Sequence, residues 1–172
     1  MRNKRFDPKL KAAHDAIGKQ LAVEIMRDMA GATLIENNDK EDSGDFSAGF
    51  WDQKYSLQNG QIIVVEPEMK DSKWWNISAS HPDRPFDYSD IDIPYRKAKN
   101  KAGLHMVIST CRQYAFLLTR KAMDEHLASC GGEPKIKKTI YEPHGAPYFS
   151  TPVSKGFFVA KINDRWQRWR FE

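Results

Sequence analysis

The chain has 172 residues, of which 40% are hydrophobic and 29% charged, which excludes an intrinsically disordered protein and favours a single globular domain. No apolar run approaches the roughly 20 residues that span a bilayer, and no apolar segment follows the basic N-terminus, so we expect neither a membrane partner nor a signal peptide. The two cysteines, Cys111 and Cys130, lack the spacing of a zinc site or a disulfide framework. We therefore expect a reduced, cytoplasmic protein.

Charge is unevenly distributed along the chain. The net charge is +4, but residues 1–90 carry 12 Lys and Arg against 16 Asp and Glu, whereas residues 91–172 carry 15 against 7. A basic second half suits an anionic partner such as nucleic acid, and it equally suits a solvated basic surface.

The first predicted element is an amphipathic helix over residues 8 to 30, opened by an Asp-Pro pair. Apolar residues recur at four-residue spacing from Ala13 to Ile25, and Gly31 suits the end of the helix. Glu24 falls on or beside this apolar stripe. It is either a boundary side chain that reaches water or an inward carboxylate.

A β-hairpin is predicted after a polar, turn-rich loop at residues 36–45. Strand-like runs at 50–57 and 61–70 flank Asn59-Gly60, a strong hairpin signal. A three-residue loop with Gly60 in the left-handed conformation gives one pairing of the two strands, and a two-residue turn shifts that pairing by one residue.

Ionisable side chains alternate along the second strand of this hairpin. Glu66, Glu68 and Lys70 follow the apolar run Ile62–Val65 at every second position, so they share one face of the sheet. The three-residue loop places Asp52 opposite Glu66 on that face, whereas the two-residue turn points Asp52 the other way. Burying such charges is costly unless they are paired or hold a metal.

The later elements are predicted more coarsely. Residues 71–93 show little periodicity and indicate mainly a long surface excursion. The patterns that follow indicate a short basic helix at 94–103, strands at 104–111 and 113–120 with a turn near Arg112, a helix at 121–129 ended by Gly131-Gly132, and short strands within 133–143 and 155–162. The order of elements favours an α+β or α/β core.

Carboxylates that converge at strand ends are the usual way to hold Mg²⁺, a hard cation that prefers oxygen ligands. A nearby lysine can stabilise charge that develops on a phosphate. Asp52, Glu66, Glu68 and Lys70 thus form a minimal set for metal-assisted phosphodiester hydrolysis. The alternative is a solvated strand end with a Glu–Lys ion pair.

In the order of its predicted elements and in the charged residues that they carry, the chain resembles the PD-(D/E)XK nuclease superfamily, which has the restriction-endonuclease-like fold. The resemblance covers residues 8–125: a helix with an inward Glu24, a strand with Asp52, an apolar strand that ends in Glu68-Met69-Lys70, a basic helix and a strand pair. It implies a mixed central sheet flanked by helices. It also implies that Asp52 and Glu68, with Glu66 and Glu24, form a site for Mg²⁺ or Mn²⁺, and that Lys70 assists attack by water.

The chain departs from the superfamily pattern in three places. Trp51, not proline, precedes Asp52, and Asp45 is an alternative for the same role. Glu66 and Glu68 could form the metal motif as "EPE", with Glu68 in place of the usual lysine. Pro67 cannot donate to a β-ladder and indicates a sheet edge or a bulge.

Two basic segments are candidates for contacts with DNA phosphates. The predicted basic helix equally suits a solvated face, and in the tail packing of Trp166 and Trp169 on the domain is favoured over stacking on bases. The candidates are Arg96, Lys97, Lys99 and Lys101 on the predicted basic helix, and Arg165, Arg168 and Arg170 in the tail.

The sequence therefore predicts a Mg²⁺-dependent endonuclease that hydrolyses phosphodiester bonds in DNA, of the kind used in restriction, junction resolution or phage recombination. The alternative is a catalytically inactive nucleic-acid-binding or assembly protein on the same fold. We expect one domain over residues 1–172, with a core at 8–125 and a C-terminal extension at 126–172 packed on it. The superfamily commonly cleaves duplexes as a dimer, so a homodimer is among the expected assemblies.

Overall fold

The computed structural model describes residues 8–38, 52–70, 75, 85–95, 102–133, 135–138 and 145–169. The described helices are α1 (Pro8–Ala30) and α2 (Arg120–Ser129), with a 3-10 helix at Val153–Lys155. The strands are β1 (Thr33–Asn37), β2 (Gln53–Ser56), β3 (Ile62–Lys70), β4 (Asp90–Pro94), β5 (Leu104–Ser109), β6 (Tyr114–Thr119), β7 (Lys135–Lys137), β8 (Ala146–Pro152), β9 (Phe157–Ile162) and β10 (Arg165–Arg168).

Helix α1 forms as the sequence predicts and packs its apolar stripe on a sheet. It ends where Gly31 adopts a φ of +58° and donates its N–H to the carbonyl of Arg27 at 2.9 Å. Ala13 is exposed, whereas Leu21 and Ile25, further along the helix, are buried.

The main sheet has seven strands in the order β1-β2-β3-β5-β6-β9-β10, and β3 and β5 are its parallel pair. The other neighbours are antiparallel. A second sheet has the order β4-β8-β7 and is also antiparallel. The chain is therefore an α+β protein.

Each face of the main sheet supports a core. The core on the α1 face buries Leu21, Ile25, Met26, Tyr55, Val65, Met106, Ile108, Leu117, Val159 and Trp166. The core on the face towards the second sheet buries Trp75, Phe86, Ile91, Ile93, Val107, Phe116, Leu118, Met123, Phe149 and Phe158. Residues of the central strand β5 alternate between these two cores, which is why all of its positions are buried.

Local predictions for the middle of the chain are confirmed. Strands β5 and β6 form a hairpin in which Arg112 takes a positive φ of 62°. Helix α2 ends before Gly131 and Gly132, whose φ values are +73° and +74°. The basic helix predicted at 94–103 lies largely outside the described residues.

Two local predictions are wrong for the residues that the structure describes. The loop predicted at 36–45 begins inside β1, which runs to Asn37. The excursion predicted at 71–93 contains strand β4 and the buried Trp75 and Phe86. Residues 126–172, expected as an extension packed on a core at 8–125, contribute β9 and β10 to the main sheet beside β6. These features depend on contacts between distant residues and leave little local periodicity.

No helix in the described ranges has the length and apolar character that crossing a bilayer requires.

Candidate functional site

The β2–β3 hairpin has the register predicted for a three-residue loop. Gly60 has a φ of +81° and donates its N–H to the carbonyl of Leu57 at 3.0 Å. Strand β2 pairs Gln53 with Val65, and the same register continued by one residue places Asp52 opposite Glu66.

The parallel β3–β5 pair gathers polar side chains on one face. Its register sets Glu66 beside His105, Glu68 beside Val107, and Lys70 beside Ser109. Neighbouring residues on adjacent strands project to the same side of a sheet. Val107 belongs to the core between the two sheets, so the three ionisable residues of β3 project towards the second sheet.

Met69 shows that α1 lies on the opposite face. Its side chain packs so closely on α1 that a Cβ added to Gly18 would lie 3.1 Å from Met69 Cγ. Since successive strand residues alternate in direction, Glu68 and Lys70 point away from α1.

Burial varies within this β3–β5 polar face, which comprises Glu66, Glu68, Lys70 and His105. Glu66 is 4% exposed and His105 is 3% exposed, whereas Glu68 and Lys70 are half-buried. The Nζ atom of Lys70 donates a hydrogen bond to the backbone carbonyl of Asp92 on β4 at 3.2 Å. The ammonium group therefore sits at the junction of the two sheets.

Pro67 has no backbone N–H, and in the described strands its position does not call for one. The carbonyls of Val64 and Lys70 accept bonds from the β5 side of β3 at 2.8 and 2.9 Å, so odd-numbered residues face β2. Pairing with β2 ends at Gln53 and Val65, before Pro67 is reached. Pro67 therefore lies beyond the end of the described pairing with β2, in a strand that is interior to the sheet.

Asp52 has a cationic neighbour from α1. Its Oδ1 atom lies 3.9 Å from Nζ of Lys19, and its backbone carbonyl accepts a hydrogen bond from Asn38 at 2.8 Å. The buried Gln53 holds this corner together by donating from Nε2 to the carbonyl of Lys19 at 3.1 Å. One carboxylate oxygen of Asp52 thus lies close to the helix on the opposite face.

The prediction that Glu24 joins the β3 carboxylates is wrong. Its Oε2 atom accepts hydrogen bonds from Nζ of Lys161 at 2.9 Å and from Nε1 of Trp166 at 3.3 Å. These partners belong to β9 and β10, at the far end of the sheet on the α1 face. Glu24 is inward, as expected from its place beside the apolar stripe, but it faces a different edge.

The tail forms β10 and packs on α1 through its buried tryptophan. Trp166 is 2% exposed, and the ring of Trp169 lies 6.0 Å from that of Tyr114, so both pack on the domain as favoured from the sequence. Arg165 and Arg168 flank Trp166 and are exposed. The other basic candidates, Arg96, Lys97, Lys99, Lys101 and Arg170, lie outside the described residues, as does Asp45.

Asp28 fixes the junction of α1 and β10. Its Oδ2 atom accepts the backbone N–H of Trp166 at 3.0 Å, and its Oδ1 atom accepts from Nε of Arg27 at 2.9 Å. The bond from Arg27 is the main reason that the pKa of Asp28 is lowered, and the same bond raises the pKa of Arg27.

Sequence reasoning missed His105. Its strand reads as an apolar run, and the parallel pairing that sets it beside Glu66 joins residues far apart in the chain. The only available signal was a single imidazole inside a strand apolar enough to be buried on both faces.

Within the described ranges, no group of three or more His, Cys, Asp or Glu side chains is arranged to hold a metal ion. No family model, curated protein or solved structure matches the chain. Its function is therefore inferred from its own residues.

Proposed function

We propose that the protein is a divalent-metal-dependent endonuclease that hydrolyses phosphodiester bonds in DNA. The observation that carries this proposal is the parallel β3–β5 pairing, which sets Glu66, Glu68 and Lys70 on one face of the sheet. Two carboxylates and an ammonium group in alternation provide opposite charges for a cation and for a phosphate.

The donor set suits Mg²⁺ or Mn²⁺, because carboxylate oxygens are the ligands that these hard cations prefer. Glu66 and Glu68 would supply two oxygen ligands, and Asp52, which lies opposite Glu66 in the register of the hairpin, would have to leave Lys19 to supply a third. When bound, the ion supplies activation of a water molecule and neutralisation of phosphate charge. Lys70 would stabilise the negative charge on the phosphate oxygens. Glu66 and His105 are buried, so their side chains are shielded from bulk water.

The order of elements supports a restriction-endonuclease-like core within the observed α+β fold. Helix α1 is followed by the antiparallel strands β1, β2 and β3, and the chain then crosses over to β5, parallel to β3, and returns in β6. This succession agrees with the helix, hairpin and strand-pair order on which the resemblance to PD-(D/E)XK nucleases depends.

A second candidate is a catalytically inactive nucleic-acid-binding protein on the same fold. The neighbourhood of Asp52 favours it, because Lys19 lies 3.9 Å from the carboxylate that would bind metal. A lysine so placed competes with a cation for the same oxygen.

Nicking of supercoiled plasmid separates the two candidates. The wild-type chain is assayed with Mg²⁺, with Mn²⁺ and with EDTA, alongside Glu68→Gln. A matched control is Glu125→Gln, which removes a 60% exposed carboxylate from α2. We expect metal-dependent nicking that Glu68→Gln lowers at least about 100-fold and Glu125→Gln leaves unchanged. DNA binding without nicking under all conditions would favour the inactive protein.

A further inference from the structure

The side chain of Asp52 lies between two kinds of partner, the carboxylates of β3 and an ammonium group of α1. Continued by one residue, the β2–β3 register sets Asp52 opposite Glu66. Its Oδ1 atom nevertheless lies 3.9 Å from Nζ of Lys19, and the side chains of Asp52 and Lys19 are each only 17% exposed. At this distance the two groups attract each other as an ion pair without a direct hydrogen bond.

Hydrogen bonds connect Lys19 to the residues around Asp52. The Nζ atom of Lys19 donates to the backbone carbonyl of Asn38 at 2.6 Å, and its own carbonyl accepts from Nε2 of Gln53 at 3.1 Å. The N–H of Asn38 donates in turn to the carbonyl of Asp52 at 2.8 Å. We call Lys19, Asn38, Asp52 and Gln53 the Asp52 corner. These bonds fix the ammonium group beside the carboxylate without using the carboxylate itself.

The Asp52 corner accounts for a difference between the backbone register and the grouping of side chains. The register brings Asp52 to the carboxylates of β3, yet within the described residues no three such side chains are arranged to hold a metal ion. An ammonium group on the α1 side attracts the Asp52 carboxylate and draws it away from Glu66 and Glu68.

We propose that Lys19 is a positioning residue that competes with the metal ion for Asp52 and thereby lowers the metal affinity of the site. Asp52 completes the set of carboxylate oxygens for Mn²⁺ or Mg²⁺ only when it turns from Lys19 towards Glu66. A positive charge tethered beside a ligand also repels a divalent cation. The inference rests on the proposed function in naming the metal site, and it adds a residue that regulates the occupancy of that site.

A purely structural role for Lys19 predicts the opposite result. If Lys19 only tied α1 to the segment between β1 and β2, its loss would loosen the Asp52 corner and weaken a metal site beside it. If Lys19 competes for Asp52, its loss strengthens metal binding. The sign of the change therefore separates the two roles.

Binding of Mn²⁺ tests the inference without requiring catalysis, because the electron paramagnetic resonance signal of the free ion falls as the ion binds. The main variant is Lys19→Gln, which removes the charge but keeps an N–H donor for the Asn38 carbonyl. We expect it to bind Mn²⁺ at least about tenfold more tightly than wild type, because both the competition and the repulsion are gone. Lys19→Met should show the same gain, and Lys19→Arg, which keeps the charge, should stay within about threefold of wild type.

A double-mutant cycle shows whether the gain acts through Asp52. In an Asp52→Asn background, Lys19→Gln should change the affinity for Mn²⁺ by less than about threefold, because the shared carboxylate is gone. The matched control is Lys121→Gln, since Lys121 also lies 3.9 Å from a carboxylate, that of Glu125, but is 87% exposed on α2. It should leave Mn²⁺ binding unchanged.

Several results would overturn the inference. They are an affinity for Mn²⁺ that is unchanged or weaker in both neutral Lys19 variants, an equal gain in the Asp52→Asn background, no Mn²⁺ binding by any of these proteins, and loss of folding in both neutral variants. The proposed function is tested separately by nicking. Tighter Mn²⁺ binding by Lys19→Gln in a protein that never nicks plasmid would refute the nuclease and sustain the role of Lys19, whereas metal-dependent nicking with unchanged Mn²⁺ affinity would do the reverse.

Discussion

At the scale of a single residue, Lys70 has a structural contact and a proposed catalytic role, and the two can be measured separately. Its Nζ atom ties β3 to β4 through the carbonyl of Asp92, and under the proposed function it also stabilises charge on a phosphate. Lys70→Met should lower plasmid nicking by about 100-fold or more and cost about 1.5–3 kcal/mol of unfolding free energy, the usual worth of a hydrogen bond from a charged donor. Nicking rates and urea unfolding measure the two effects.

A matched control for Lys70 is Lys54→Met on the neighbouring strand. Lys54 is half-buried and pairs with the exposed Glu36 at 3.1 Å, so its loss should cost less than about 1 kcal/mol and leave nicking intact. A Lys70→Met variant that nicks at the wild-type rate would remove Lys70 from the proposed chemistry.

Asp28 should make stability depend on pH in a defined direction. Its pKa is lowered below the ordinary value of 3.8, chiefly by the hydrogen bond from Arg27. The ionised Asp28 carboxylate therefore stabilises the fold fully above its ordinary pKa, and this contribution is lost as the pH falls through the lowered pKa of the folded protein. Asp28→Asn should reduce the unfolding free energy by about 1 kcal/mol at neutral pH, and the difference from wild type should shrink progressively below pH 3.8.

Urea unfolding at several pH values measures that difference. The control is Asp124→Asn, which removes a 53% exposed carboxylate paired with Arg120 on α2. Its effect should stay within about 0.5 kcal/mol. If the Asp28→Asn deficit were the same at low and neutral pH, the carboxylate charge would not be the source of the stabilisation.

At the scale of elements, replacing either of two glycines by alanine should lower the free energy of unfolding, but for different reasons. Gly60 has a φ of +81° with no atom within 4 Å of an added Cβ, so Gly60→Ala should cost only the left-handed strain of about 1–2 kcal/mol. Gly156 has an ordinary extended backbone, but an added Cβ would lie 2.4 Å from both the carbonyl of Leu117 and the ring of Phe116.

Gly156→Ala should therefore destabilise more than Gly60→Ala, because it pushes the start of β9 away from β6. Urea unfolding of the two variants ranks the costs. Gly60→Asn serves as the control for strain, since asparagine tolerates the left-handed region and should recover part of the loss. A Gly156→Ala variant as stable as wild type would mean that β9 can shift without cost.

The sequence could predict elements whose signals are local. The α1 helix depends on apolar spacing and Gly31, and the register of the β2–β3 hairpin depends on Gly60, so both were predicted correctly. Strand pairings between distant segments leave no such trace. For this reason, the parallel β3–β5 pair, the position of His105 and the contacts of Glu24 became known only from the structure.

At the scale of the whole molecule, the two faces of the main sheet make different contacts. One face packs on α1 and carries the Glu24 and Asp28 contacts that hold β10 in place. The other face carries the β3–β5 polar face and meets the second sheet at Lys70. The ionisable side chains of β3 and the Glu24 and Asp28 contacts are thus separated by the sheet.

The C-terminal strands should be essential for folding, in contrast to the appended segment expected from the sequence. The core on the α1 face includes Val159 and Trp166, and the core between the sheets includes Phe149 and Phe158. A chain that ends at residue 125 would also leave the backbone of β6 unpaired along the edge now covered by β9. Loss of a single buried aromatic side chain costs about 3–5 kcal/mol, against a typical total stability of about 5–15 kcal/mol. We therefore expect the 1–125 fragment to show no cooperative thermal transition by circular dichroism. A sharp transition near that of the full chain would instead establish residues 8–125 as an independent core.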